Sequence, residues 1–195
     1  MSLYTARGDK GMTDLYTGQR IAKNSWRVKA YGALDEFGST LGMARAFCQN
    51  EEVKECILKL QKLNGLLMTD FASINNYEPQ ITHDHVVYLE KMIDKIEDKL
   101  HPTHEFLIPG ETKGGACLDL ARTVARRAER VGAAGRVRDG LAERRSQRAL
   151  FAAYLPCAVS AVRHDGGRER TAPGRYRGAV QCVILHRIAQ MHGHR

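Results

Sequence analysis

The chain has 195 residues and a mass of 21.8 kDa, and its 43% hydrophobic and 27% charged residues suit one domain with a buried core. No apolar run reaches the roughly 20 residues of a membrane-spanning helix, and the N-terminus lacks the pattern of a secretory signal. Five cysteines without a C-x-x-C pair argue against a disulfide framework or an ordinary zinc site. We therefore expect a cytoplasmic protein with reduced thiols and no metal site built from its own side chains.

The net charge of +8 is concentrated in the last part of the chain. Residues 1–113 hold ten Lys and four Arg against 16 acidic residues, whereas residues 114–195 hold 16 Arg, no Lys and six acidic residues. We predict a division after Arg130, with a helical domain over residues 1–130 and an Arg-rich segment over residues 131–195. Two interpretations of that segment stay open: a change of reading frame in a GC-rich gene, or a divergent last helix.

The chain opens with a loop-forming segment. Two short pieces, residues 2–7 and 13–19, flank the turn-prone sequence Gly8-Asp9-Lys10-Gly11. Strand-like alternation is almost absent after residue 20. The rest of the domain is therefore expected to be helical.

Apolar residues then recur at three- and four-residue spacing, which predicts amphipathic helices over residues 28–47, 51–74, 82–101 and from about 114 to at least 130. The predicted buried stripes are Val28, Tyr31, Leu34, Phe37, Leu41, Ala44 and Phe47, then Val53, Ile57, Leu60, Leu63, Leu67 and Phe71, then Val86, Leu89, Ile93, Ile96 and Leu100, and finally Leu118, Val124 and Ala125. Gly132, Gly135 and Gly140 are expected to interrupt a helix beyond residue 130. The sequence predicts an all-α antiparallel bundle with a short N-terminal loop.

Residues 5–13, together with Lys23, combine features that suit a polyphosphate. Turning backbone N–H groups, hydroxyls and nearby cations can bind phosphate oxygens. The segment does not match the G-x-x-x-x-G-K-[ST] pattern, so a plain surface turn is the alternative.

Arginines recur along the fourth predicted helix. Arg122 and Arg126 share a face with Glu129, and like charges at four-residue spacing repel one another. An anion between them, either a triphosphate or a partner's carboxylate, would relieve that repulsion. A solvated basic face is the alternative.

A carboxylate lies among apolar residues of the first helix. Asp35 follows Tyr31 by one turn and needs a cation, for which the arginines of the fourth helix are the obvious source. Gly32 would allow a close approach of backbone inside the helix.

Together these motifs resemble the ATP:cob(I)alamin adenosyltransferases of the propanediol-utilisation type. The residues that carry the resemblance are, in chain order, Tyr4-Thr5, Gly8-Asp9-Lys10-Gly11, Arg27-Val28, Ala30-Tyr31-Gly32, Asp35-Glu36, Phe106-Leu107-Ile108-Pro109-Gly110, Ala121-Arg122-Thr123 and Arg126-Arg127-Ala128-Glu129-Arg130. Each motif is modest alone. Their order and spacing over residues 2–130 make the resemblance specific.

The resemblance implies a homotrimer of five-helix bundles that transfers the 5′-deoxyadenosyl group of ATP to cob(I)alamin and releases triphosphate. ATP with Mg²⁺ and the corrinoid would lie between subunits, and a corrinoid reductase would be a partner. Asp35 would pair with Arg122 across subunits, and Phe106 would cover the lower face of the corrin and exclude its axial ligand, so these three carry the catalytic roles. The implied ATP-binding residues are Thr5, Ala6, Arg7, Gly8, Thr13, Asp14, Lys23, Arg126, Arg127, Ala128, Glu129 and Arg130.

The sequence departs from the family pattern at several positions. Ala6-Arg7, Glu111 and Asp119 stand where the family usually has other residues, and the family's closing helix, with an Asn that contacts ATP, has no counterpart beyond residue 130. Two other functions therefore stay open. The chain could be an ATP- or corrinoid-binding bundle without turnover. It could also be a nucleic-acid binder that uses its Arg-rich segment, although the few aromatic residues after position 130 give little surface on which bases could stack.

Overall fold

A computed structural model describes residues 6–75, 77–100 and 109–139. Within them the chain forms a two-stranded hairpin followed by four helices. The elements are β1 (Met12–Asp14), β2 (Arg20–Ala22), α1 (Trp26–Phe47), α2 (Glu51–Phe71), α3 (His83–Leu100) and α4 (Lys113–Asp139). The predicted all-α bundle is confirmed, and any fifth helix falls outside the described residues.

Local capping fixes where the first two helices begin. The Ser25 hydroxyl accepts from the Val28 N–H at 3.4 Å, and the Asn50 side chain accepts from two N–H groups at the start of α2 at 2.9 and 3.2 Å. These bonds satisfy donors that have no partner inside the helix. Glu51 and Glu52 also place negative charge in the first turn of α2, where the helix dipole favours it.

The core forms where α1 packs against α2 and α4. Every residue of the predicted α2 stripe is buried, as are Leu34, Phe37 and Leu41 of α1 and Leu118 of α4. Alanines on both α1 and α4 reach the core and let these two helices approach closely. Phe47 was predicted to be buried and is 46% exposed, so that prediction is wrong. None of the helices in the described part of the chain combines the length and hydropathy needed to cross a bilayer.

The fourth helix continues past the point where the sequence predicted an interruption. α4 runs through Gly132 and Gly135 to Asp139, and both glycines are buried while Val131 packs against the core. Tertiary packing of this kind can offset the cost of about 1 kcal/mol for each glycine in a helix. The predicted division of the chain at residue 130 stays a prediction, because residues 140–195 lie outside the described part.

The N-terminal segment contains a hairpin rather than loop alone. β1 and β2 pair antiparallel with Thr13 opposite Ile21 and Asp14 opposite Arg20. The piece predicted to extend from residue 13 to 19 ends at Asp14, where the chain turns back through Gly18 at φ +88°. Strands of three residues are too short to show alternation in a sequence, which is why β2 was missed.

A buried carboxylate organises the connection between α2 and α3. Asp70 is 6% exposed and accepts from the Gln80 N–H at 2.8 Å, the Ile81 N–H at 3.1 Å and the Tyr77 hydroxyl at 3.2 Å. Because Asp70 lies in the last turn of α2, these bonds hold the start of α3 against the end of α2.

Replacing Asp70 with alanine is expected to lower the free energy of unfolding by about 2–3 kcal/mol, because the buried Ile81 N–H loses a charged acceptor. Urea denaturation measures the change. Asp70→Asn keeps one acceptor oxygen and should lose less. An unchanged unfolding midpoint for Asp70→Ala would show that water replaces the carboxylate without cost.

Candidate functional site

The N-terminal loop, residues 6–23, contains a network of three charged side chains. The Asp14 carboxylate lies 3.0 Å from Arg7 and 3.0 Å from Arg20, and Arg20 also donates to the Arg7 carbonyl. Arg20 was missed in the sequence because its link to Asp14 depends on the hairpin register. The network ties the predicted residues Arg7 and Asp14 to β2.

Tight turns in the same loop bring the Gly8 backbone close to a cation. The Gly11 N–H donates to the Gly8 carbonyl at 3.1 Å, and the Lys23 N–H donates to the Gly11 carbonyl at 2.8 Å. A Cβ atom added at Gly8 would lie 2.7 Å from the Lys23 ammonium. Lys23 therefore lies directly over the Gly8 backbone. A tight turn beside a cation is one arrangement that can bind phosphate oxygens.

The α4 arginine cluster comprises Arg122, Arg126, Arg127 and Arg130, and carboxylates on the same helix pair with two of them. Arg126 lies 3.3 Å from Glu129, and Arg122 lies 3.3 Å from Asp119, each at a three-residue spacing. The repulsion expected between these arginines is thus reduced within the helix itself.

The third arginine with an ion pair reaches a different helix. Arg127 pairs with Glu36 of α1, and both side chains are about half exposed. Arg130 is exposed, whereas Ala128 is fully buried in the core and points away from the cluster. Glu36 was not predicted as a site residue, because its proximity to Arg127 follows only from the packing of α1 on α4.

Asp35 lies beside Glu36 on the outside of α1. It is exposed and forms no ion pair with another described residue, while Arg122 is paired with Asp119. The predicted pairing of Asp35 with Arg122 requires a second subunit and stays a prediction. The close approach expected at Gly32 is not made within the protomer, since an added Cβ would meet no atom within 4 Å.

The structure shows two separate sets of predicted site residues. No hydrogen bond or ion pair joins the N-terminal loop to the α4 arginine cluster within residues 6–75, 77–100 and 109–139. Thr5 and Phe106 lie outside the described residues. The described part of one protomer therefore has two cationic groups of side chains with no bond between them.

The described part of the chain also contains three cysteines. Cys48, Cys56 and Cys117 are free thiols, and burial raises the pKa of the Cys56 thiol, which keeps it protonated near neutral pH. No three His, Cys, Asp or Glu side chains gather into a metal-binding group in this part of the chain.

Comparison with known proteins identifies the family. Residues 3–155 match the family described as Cobalamin adenosyltransferase, a match that extends past Arg130. The chain belongs to this family. The family predicted from the sequence motifs is thereby confirmed.

Individual members of the family are similar to this chain in sequence. The corrinoid adenosyltransferase PduO of Salmonella typhimurium is 34% identical over 134 residues, which are 67% of this chain and 40% of the Salmonella protein. A corrinoid adenosyltransferase of Citrobacter freundii is 36% identical over 133 residues, which are 66% of this chain and 76% of that protein. The chain thus spans less than half of the Salmonella relative.

Solved structures of the family share this fold. A variant of the PduO-type ATP:corrinoid adenosyltransferase from Lactobacillus reuteri, complexed with cobalamin and ATP, superposes with a TM-score of 0.75 at 25% identity. The superposition covers 83% of this chain and 89% of the Lactobacillus chain.

Proposed function

We propose that the chain transfers the 5′-deoxyadenosyl group of ATP to cob(I)alamin. In this reaction a bond forms between cobalt and C5′ of ATP, the C5′–O bond breaks, and triphosphate leaves. The observation that carries the proposal is the family match over residues 3–155, which includes both cationic groups. The Lactobacillus relative complexed with cobalamin and ATP supports the choice of both substrates.

The residues of the chain would act by position and charge. Gly8, Thr13 and Lys23 of the N-terminal loop would hold the phosphates from one side, and Arg126 and the other cluster arginines would hold them from the other. Cations and N–H groups that are already in place stabilise charge on the leaving triphosphate without reorganisation. Cob(I)alamin supplies the nucleophile, so no general base is required.

Magnesium fits this arrangement as a companion of the nucleotide. Mg²⁺ usually takes one or two protein carboxylates and fills its other positions with phosphate oxygens and water. The three carboxylates beside the α4 arginine cluster, Asp119, Glu129 and Glu36, are each paired with an arginine, so the ion would be held mainly by phosphate oxygens and water. When bound, the ion would neutralise part of the triphosphate charge.

A homotrimer would bring the two cationic groups together across a subunit boundary. Such an assembly is consistent with the absence of bonds between the N-terminal loop and the α4 arginine cluster in one described protomer, and with the exposed Asp35 on α1. We also propose a cytoplasmic location, supported by the free thiols, and a corrinoid reductase as the source of cob(I)alamin.

Asp35→Asn is expected to weaken the trimer or corrinoid binding, because Arg122 would lose the carboxylate of the neighbouring subunit and keep only Asp119 of its own helix as a counter-charge. Mass determination of the oligomer and an adenosylation assay measure the two effects. A charge-swapped double variant, Asp35→Arg with Arg122→Asp, should recover part of the loss. Wild-type assembly and activity in Asp35→Asn would exclude the pairing.

Two glycines provide a second test of assembly. Gly32 in α1 and Gly65 in α2 both have open space at the Cβ position within the protomer, so alanine at either should stabilise an isolated subunit by about 0.5–1 kcal/mol. If a neighbouring subunit packs on Gly32, only Gly32→Ala should weaken the oligomer. Equal gains in melting temperature with unchanged oligomer mass for both variants would show that no subunit covers Gly32.

The adenosylation assay tests the function itself. The full chain, ATP and chemically reduced cobalamin should yield adenosylcobalamin and triphosphate. Binding of ATP or cobalamin without product would instead support a bundle that has lost turnover. Strongly salt-dependent binding to nonspecific DNA or RNA without product would favour the nucleic-acid alternative through the Arg-rich segment.

A further inference from the structure

The C-terminal end of α2 receives hydrogen bonds from a residue distant in sequence. Arg27, in the first turn of α1, donates from Nη1 to the Phe71 carbonyl at 2.7 Å and to the Ser73 carbonyl at 3.2 Å. The last carbonyl groups of a helix have no partner within the helix, and a cation there is favoured by the helix dipole. Arg27 is half-buried, and desolvation lowers its pKa, so its contacts must offset a cost of burial.

The residues at and just after the end of α2 also bind the turn between β1 and β2. The Tyr16 N–H donates to the Ala72 carbonyl at 2.8 Å, and the Ile74 N–H donates to the Thr17 hydroxyl at 3.1 Å. Residues 71–74 are therefore an anchor that binds two places at once: the turn between β1 and β2, and the first turn of α1.

The N-terminal loop lies between these two attachments. Its last residues lead directly into α1, because the Lys23 N–H is bonded to Gly11 and the Ser25 N–H donates to the Ala22 carbonyl at 3.0 Å. Movement of α1 relative to residues 71–74 would shift Lys23 against the hairpin tip. The arrangement of Lys23 over Gly8 thus depends on both attachments.

We propose that Arg27 is a positioning residue for nucleotide binding: by joining α1 to residues 71–74, it holds the N-terminal loop in the shape that receives ATP phosphates. This inference rests on the proposed function and extends it to a residue that would not touch the substrate. Thr17 makes the second attachment from the hairpin tip. Loss of either attachment should affect ATP more than the corrinoid.

The test compares Arg27→Met, which keeps the length of the side chain and removes its donors, with Arg45→Met near the end of α1 as a matched control. In the full chain, Arg27→Met removes both hydrogen bonds and should raise the KM for ATP about tenfold, if the loop then keeps its binding shape only about a tenth of the time, and leave the KM for cobalamin nearly unchanged. Amide hydrogen exchange of the unliganded protein should accelerate over residues 8–23. Arg45→Met should change neither quantity.

Two further variants keep the test decisive if Arg27→Met fails to fold. Arg27→Lys retains the charge and should show a smaller change in the KM for ATP, and Thr17→Val should reproduce the ATP-selective effect from the other attachment. A lower melting temperature with an unchanged KM for ATP and unchanged exchange over residues 8–23 would make Arg27 a helix cap only and overturn the proposal. If the unmodified chain binds no ATP, the proposed function itself is overturned. If the unmodified chain binds ATP and every variant has the same KM for ATP, only this inference is overturned.

Discussion

Replacing Arg126 with alanine is expected to raise the KM for ATP about tenfold or more, or to abolish turnover, while the helical content stays the same. A charge-assisted hydrogen bond to phosphate contributes about 1.5–3 kcal/mol, which corresponds to at least that factor. The structure adds a second cause. Removal of Arg126 leaves Glu129 without its cation, 3.3 Å away in the wild type, so the carboxylate would repel the triphosphate.

These two causes can be separated by experiment. In Arg126→Ala with Glu129→Gln, the repulsion is absent and only the lost contact remains, so the double variant should bind ATP better than Arg126→Ala alone. Arg45→Ala controls for loss of a cation elsewhere on the surface. Steady-state rates at limiting ATP, with circular dichroism to verify folding, give the comparison. An unchanged rate for Arg126→Ala would remove this residue from the site.

Replacing Phe106 with alanine is expected to lower turnover from cob(II)alamin much more than turnover from cob(I)alamin. The resemblance to the family assigns this ring the role of excluding the axial ligand, since four-coordinate Co(II) is easier to reduce than five-coordinate Co(II). Turnover that starts from cob(II)alamin should therefore fall at least about tenfold more than turnover from chemically made cob(I)alamin, if the ring contributes about 1.4 kcal/mol or more to this step. The KM for ATP should change little.

The ratio of the two rates distinguishes this role from a structural one. A ring that only anchors the chain before α4 would lower both rates equally and reduce stability by about 3–5 kcal/mol if it is fully buried. Phe106→Trp, which keeps a large aromatic ring, is the matched control and should retain more activity from cob(II)alamin than Phe106→Ala. Equal losses from both substrates would exclude ligand displacement.

The helices were predictable because their signal is local. The stripe from Val53 to Phe71 repeats at helical spacing, and all of it is buried. The same reasoning failed at Phe47, which lies on the predicted apolar face of α1 but is 46% exposed. Periodicity identifies an apolar face, but it does not show which other element covers that face.

The arginines on α4 and their proximity to Glu129 were predictable, but most ion-pair partners of the candidate site residues were not. Arginine spacing on α4 is visible in the sequence, whereas the bond between Glu36 and Arg127 depends on how α1 packs against α4. The pairing of Asp14 with Arg20 depends on the hairpin register, and the contacts of Arg27 join residues far apart in the chain. Such contacts are set by tertiary structure, and the motifs alone contain no signal for them.

The carboxylates beside the arginines have a consequence for selectivity among anions. Arg7, Arg122, Arg126 and Arg127 each have an acidic neighbour, so an incoming phosphate competes with an internal counter-ion rather than meeting a bare charge. A single inorganic phosphate or sulfate can replace few of these carboxylates, and each exposed ion pair it breaks is worth at most about 1 kcal/mol. A chain of three linked phosphates can replace several of these carboxylates at once, and it loses its translational freedom only once. If these residues bind ATP as proposed, we expect them to favour polyphosphates over single phosphate or sulfate ions.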